Sequence, residues 1–124
     1  MANRVAVVGV GQTKHKSKHK DVSIAGLVRQ AAERALADAG CEWRDIDALV
    51  LGKAPDMFEG MTMPELYLTD ALGGNGKPVI RVHTAGSVGG STAIVAANYV
   101  QSGRYNRVLT VTFVIIQFVP GGPI

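Results

Sequence analysis

Hydrophobic residues recur along the chain in two patterns: short β-branched runs, and longer stretches with apolar positions three or four residues apart. Val5-Ala6-Val7-Val8-Gly9-Val10 is the first run, nearly continuous and punctuated by glycine. Such a run predicts a strand buried on both faces, as in parallel or mixed sheets covered by helices. From Ser23 the spacing changes. Ser23 is the expected N-cap of a helix running to about Ala39, with Ile24, Leu27, Val28, Ala31, Ala35 and Ala39 on one stripe. Gly40, tolerant of the left-handed conformation, ends it.

The alternation continues. Ala48 to Gly52 predicts a second strand, and Lys53 to Thr62 a loop. Pro64 opens a helix ending near Leu72, before Gly73-Gly74. Pro78 to His83 predicts a third strand, and Thr84 to Gly90 a Gly/Ser turn. A helix from Ser91 to about Ser102 follows, apolar almost all round and therefore expected to be buried on most sides. Gly103 closes it, and Arg107 to at least Val111 predicts a fourth strand. Strands alternating with helices imply an α/β fold with right-handed crossovers: a mixed β-sheet of four to five strands covered by helices.

Composition narrows the class. A length of 124 residues suits one domain, and 47% hydrophobic residues with a net charge of +3 argue against disorder. The single cysteine, Cys41, excludes a disulfide scaffold. The uncharged, apolar stretch Val108 to Ile124 is broken by Pro120, Gly121, Gly122 and Pro123, so no transmembrane helix is expected. The N-terminus shows no signal-peptide pattern. A cytoplasmic, mildly basic domain is the resulting expectation.

Four segments are candidates for chemistry. Gly9-Val10-Gly11-Gln12-Thr13-Lys14 approaches a dinucleotide fingerprint, but Lys14 stands where its third glycine belongs, and a strand ending in a tight turn is the favoured reading. The run Lys14 to Lys20 could steer an anionic ligand such as the phosphates of coenzyme A, or form a solvated loop. Its His15 and His19 lack the Cys or carboxylate that would complete a metal set, so no metal site is expected. Cys41 follows a helix end, where the dipole is the wrong way round for a thiolate, and reads as structural. The richest segment is Val82-His83-Thr84-Ala85-Gly86-Ser87-Val88-Gly89-Gly90-Ser91. It joins a strand to an Ala-rich helix through a sharp turn, beside free N–H groups at the helix start. Acyl-transfer enzymes seat a nucleophile at such a point, where the helix end stabilises a thiolate or an oxyanion. Ala85-Gly86-Ser87-Val88-Gly89 also approximates a hydrolase elbow, but no histidine follows His83 to complete that triad.

The run from Val5 to about Val111 resembles the N-terminal half of a thiolase of the lipid-transfer, sterol carrier protein x type. The resemblance is carried by Val5 to Thr13, Ala32 to Gly40 with Asp45-Ile46-Asp47, Gly52-Lys53-Ala54-Pro55-Asp56, Met63-Pro64-Glu65, and Arg81 to Ala97. It is similar to thiolase-like lipid-transfer proteins that actinobacteria carry among steroid-degradation enzymes. The resemblance implies an α/β thiolase-like half-domain over residues 1–111, dimerisation, a coenzyme A thioester as substrate and no cofactor. Thiolases with the full site condense or cleave acyl groups on coenzyme A.

The departures are specific. The family's turn reads roughly V-N-x-x-C-x-S-G, and its cysteine carries the acyl group. Gly86 occupies that position here, while His83, Ser87 and Gly89 line the same turn, so no catalytic nucleophile is expected. The family's other catalytic motifs lie in a C-terminal half that this sequence does not show, and residues 112–124 read as a divergent apolar tail, as from a truncated frame. Met57, Phe58, Met61 and Met63 could line an apolar acyl or sterol pocket, or belong to core or interface. The expectation is a thiolase-like acyl-CoA acyltransferase or lipid-transfer protein of fatty-acid or steroid side-chain catabolism, inactive alone. The alternative is a non-catalytic acyl-CoA or lipid binding module. The expected partners are acyl-CoA or lipid and a second copy of the chain, with no nucleic acid and no membrane span.

Overall fold

The computed structural model of the chain describes residues 4–14, 21–53 and 62–113. Its elements, in chain order, are α1 (Ile24–Ala39), β1 (Ala48–Lys53), α2 (Pro64–Leu68), β2 (Val79–Val82), α3 (Val88–Gln101) and β3 (Val108–Phe113). Short 3₁₀ turns at Trp43–Asp45 and Ala85–Ser87 link them. Among the described residues the sheet has three strands in the order β2-β1-β3, both pairings parallel. The α/β class read from the alternation is therefore what forms, on a parallel sheet.

β1 is the central strand, and all six of its residues are buried. Its alternation sorts the helices onto two faces. Leu49 and Leu51 join Val28, Ala32 and Leu36 of α1, Leu68 of α2 and Leu109 and Val111 of β3 in one apolar core. On the other face Gly52 lies against α3, where a Cβ would meet Thr92 Oγ1 and stand 3.0 Å from Val88 Cγ2. Thr92 is itself fully buried, its hydroxyl donating to Val88 O at 2.6 Å.

The ends of α1 are those its sequence predicts. Ser23 accepts from Gly26 N at 3.0 Å, and Gly40 closes the helix at φ 69°, with Cys41 N donating to Leu36 O at 2.9 Å. The buried stripe differs, being Leu27, Val28, Ala32 and Leu36. Ala31, Ala35 and Ala39 receive another partner, the N-terminal segment. That segment is the main correction to the sequence reading. Val5 to Val10 is not a strand of the sheet, and Val7 (84% exposed), Val8 and Val10 face solvent. The segment lies along α1 instead, with Val10 N donating to Asp38 Oδ2 at 2.9 Å and Arg34 Nη1 to Gln12 O at 2.5 Å. A Cβ at Gly9 would stand 2.5 Å from Ala35 O, and one at Gly11 would collide with Ala31 O. The glycines that suggested a nucleotide turn thus serve a close backbone-to-helix approach.

Two helices also differ from expectation. α2 stops at Leu68, with turns carrying the chain on to Gly73. α3 starts three residues before Ser91, at Val88, and buries only Val88, Thr92 and Ala96, so its apolar composition is not matched by burial; Ile94 is 63% exposed. Cys41 is half-buried against the core, with its thiol directed to Ala39 O at 3.7 Å. No helix of the described residues is long and apolar enough to cross a membrane.

The contact between Gly52 and Thr92 yields the first prediction. Gly52→Ala should destabilise the chain by about 1–3 kcal/mol in urea unfolding, through forced overpacking, and adding Thr92→Ala should recover part of that loss. Additive losses in the double variant would show that the two residues do not share this contact.

Candidate functional site

β2 delivers the chain to the C-terminal margin of the sheet, where open α/β folds commonly place their ligands. Val82 pairs with Gly52, and the chain then leaves the sheet at His83. The bend is tight. Ser87 N donates to Thr84 O at 3.2 Å, Val88 N donates to Ala85 O, and α3 begins at once. Residues 83–87 are exposed, while Val88 is buried and pins the helix start to the sheet.

Ala85 carries a positive φ of 51°, one of two non-glycine residues in that region among the described residues, the other being Met63. A left-handed alanine costs roughly 1–2 kcal/mol. Strain of this kind concentrates at functional turns. Gly86, by contrast, has no left-handed φ, and a Cβ built on it would find no atom within 4 Å. Neither backbone strain nor lack of space therefore requires glycine at this position. Gly89 and Gly90 are equally open, so the first turn of α3 exposes its backbone to any approaching group.

The side chains around the bend form a small hydroxyl network. Thr84 Oγ1 donates to Ser91 Oγ at 2.8 Å, and Ser87 Oγ donates to Thr84 O at 2.9 Å. Ala85 N donates to His83 Nδ1 at 3.4 Å. Ser87 donates its hydroxyl within its own turn, and among the described residues no base takes its proton.

The structure places His83, Gly86 and Ser87 in this bend and Gly89 in the first turn of α3. It does not bring Cys41 there, which sits at the far end of α1. Met57, Phe58 and Met61 lie outside the described residues. Met63 is described: it precedes α2 and is 59% exposed. No group of three metal-ligating side chains occurs among the described residues, and His15 and His19 lie outside them.

A second cluster went unassigned in the sequence reading. Lys53, the last residue of β1, is fully buried. Alternation puts it on the same sheet face as Leu51, whose partner in register is Arg81. Arg81 Nη1 stands 4.0 Å from Glu65 Oε2 of α2, and that oxygen is buried with no hydrogen-bond partner among the described residues. Lys53, Glu65 and Arg81 come from three separate sequence motifs, which the fold gathers at one margin of the sheet; no signal in the sequence flags them, because their meeting follows from strand register.

Comparison with known proteins follows from this geometry. No family model matches the chain. It is 30% identical to chicken (Gallus gallus) sterol carrier protein 2 over 91% of its own length, and 32% identical to the acetyl-CoA acetyltransferase of Methanothermobacter thermautotrophicus over 85%. It spans about a fifth of the first relative (20%) and 27% of the second. Among solved structures, 3-oxoacyl-[acyl-carrier-protein] synthase III from Aquifex aeolicus superposes on 77% of the chain with a TM-score of 0.64 at 21% identity, the chain covering 30% of that protein. The priming β-ketosynthase of the R1128 polyketide pathway does so on 78%, with a TM-score of 0.66 at 24% identity, the chain covering 29% of it. The chain has a thiolase-like fold.

Open space at Gly86 predicts tolerance. Gly86→Ala should change unfolding free energy by no more than about 0.5 kcal/mol in urea melts, the usual range for a surface site without special geometry. A loss above about 2 kcal/mol would mean that the bend needs glycine for its own shape.

Proposed function

We propose that the chain is a thiolase-like acyl-CoA acyltransferase or lipid-transfer protein of fatty-acid or steroid side-chain catabolism, with its nucleophile position held by Gly86. Acyl transfer through a thioester needs a sulfur at the helix mouth, and glycine supplies none. The observation that carries this reading is the bend itself: a strand-to-helix turn with exposed helix N–H groups and an empty Cβ position at Gly86. A coenzyme A thioester is the substrate in this reading, with no cofactor, and the compartment is the cytoplasm. Residues 1–111 form the thiolase-like half-domain and 112–124 a divergent tail, although β3 itself runs through Phe113.

Related proteins support the ligand class. Xanthomonas campestris OleA, whose fold matches 75% of the chain at a TM-score of 0.61 and 21% identity, was solved with lauric acid and lauroyl-CoA bound. The second reading is a non-catalytic acyl-CoA or lipid binding module. It is favoured by the same bare Gly86, since a turn without a nucleophile can still bind. Met57, Phe58, Met61 and Met63 are its proposed apolar contacts.

Incubation with lauroyl-CoA followed by intact-mass spectrometry separates the two. The chain should show no covalent acyl adduct and no coenzyme A release above background. Saturable binding without turnover would favour the binding module, and turnover or a stable adduct would overturn the loss of thioester chemistry.

Association with a second copy, as in a thiolase-type dimer, belongs to the same proposal. Val7, Val8 and Val10 of the N-terminal segment, Leu66 and Tyr67 on α2, and Ile94 on α3 are all more than 60% exposed. Surfaces of this kind are usually covered by a partner. Size-exclusion chromatography with light scattering should give oligomers or aggregate, and a sharp monomer peak would contradict the expectation.

A further inference from the structure

The polar groups of the bend are unequal in what they have left to offer. The Thr84 and Ser87 hydroxyls donate within the turn, to Ser91 Oγ and Thr84 O. His83 is exposed, and among the described residues it accepts a hydrogen bond at Nδ1 from Ala85 N, at 3.4 Å. A neutral imidazole that accepts at Nδ1 carries its proton on Nε2. Its second nitrogen is then left as the donor of an exposed side chain. The residue that orients it is Ala85, held at a φ of 51°, and the next residue is Gly86, with nothing within 4 Å of its Cβ position.

We propose that His83 is the ligand-binding donor of the bend: kept as the Nε2–H tautomer by Ala85 N–H, it donates to the thioester carbonyl oxygen of an acyl-CoA lodged at the bare Gly86. This rests on the functional reading above and names the residue that would hold the ligand in a site without a nucleophile. No bond is made or broken. The contact orients a carbonyl, as a neutral histidine does wherever its other nitrogen is tied to the backbone.

A purely structural role for His83, supporting the left-handed Ala85, makes a different prediction. His83→Asn keeps an acceptor near the place of Nδ1 and removes the outer donor. His83→Gln extends an amide N–H toward the place of Nε2. Titration with lauroyl-CoA should show binding weakened about tenfold in His83→Asn, the usual effect of losing one hydrogen bond to a ligand, and largely restored in His83→Gln. Unchanged affinity in His83→Asn, or no recovery in His83→Gln, overturns the assignment. Nitrogen-15 magic-angle-spinning NMR of histidine-labelled protein, assigned by the signal lost in His83→Gln, should show the Nε2–H tautomer, and an Nδ1–H tautomer overturns it independently of binding. A wild type that fails to bind lauroyl-CoA at all overturns the functional reading itself. That failure is distinct from one in which the wild type and His83→Asn bind equally well.

Discussion

The close approach of α3 to β1 is the constraint on which the site depends. Gly52 has no side chain, and Thr92 and Val88 fill the space a Cβ would take. Because Val88 opens α3 and Gly52 pairs with Val82, that contact fixes where the helix starts relative to the strand feeding it. Only five residues, 83–87, remain to join them, and the strain at Ala85 is the local cost of so short a connection. A larger residue at 52 or 92 would push the helix mouth off the sheet, and the bend would lose its shape without any change in its own sequence.

How much of this was legible in the sequence depends on where each signal came from. Local signals succeeded: Ser23 and Gly40 bound α1 as read, because caps act within one turn of chain. The strands expected over Ala48 to Gly52, Pro78 to His83 and from Arg107 form at 48–53, 79–82 and 108–113, and were visible as short apolar runs between helices. Val5 to Val10 has the same composition and yet lies along α1, since a run of valines reports a readiness to pair but not the presence of a neighbour to pair with. The glycines at 9 and 11 looked like nucleotide-turn residues, and only the three-dimensional approach to Ala31 and Ala35 shows what they do. α3 was misjudged because its alanines and valines suggested burial that its surroundings supply on one side alone.

The site was partly legible. The Val82-to-Ser91 segment, expected to be the place for chemistry, forms the β2–α3 connection, with His83, Gly86 and Ser87 in the bend and Gly89 in the first turn of α3. Its internal wiring was not readable: the positive φ at Ala85, the Ala85-to-His83 hydrogen bond and the Thr84–Ser91 pair all depend on backbone angles that residue types do not dictate. The gathering of Lys53, Glu65 and Arg81 was equally out of reach, because it follows from strand register. Buried charge of that kind costs stability unless well paired, and it lies on the sheet face opposite α3. The thiolase-like frame therefore carries two polar features on its C-terminal margin, an open turn and the Arg81–Glu65 pair on the sheet face that also carries the buried Lys53.

The central claim is that the bend retains the shape of a nucleophile seat and lacks only the sulfur. It is tested most directly by supplying one. In a Cys41→Ser background, the thiol introduced by Gly86→Cys should alkylate with iodoacetamide along a pH profile whose midpoint falls below the roughly 8.5 of a free cysteine, because the start of α3 favours a thiolate. A midpoint at or above that of a free cysteine would contradict the account, since the turn would then be an ordinary surface loop.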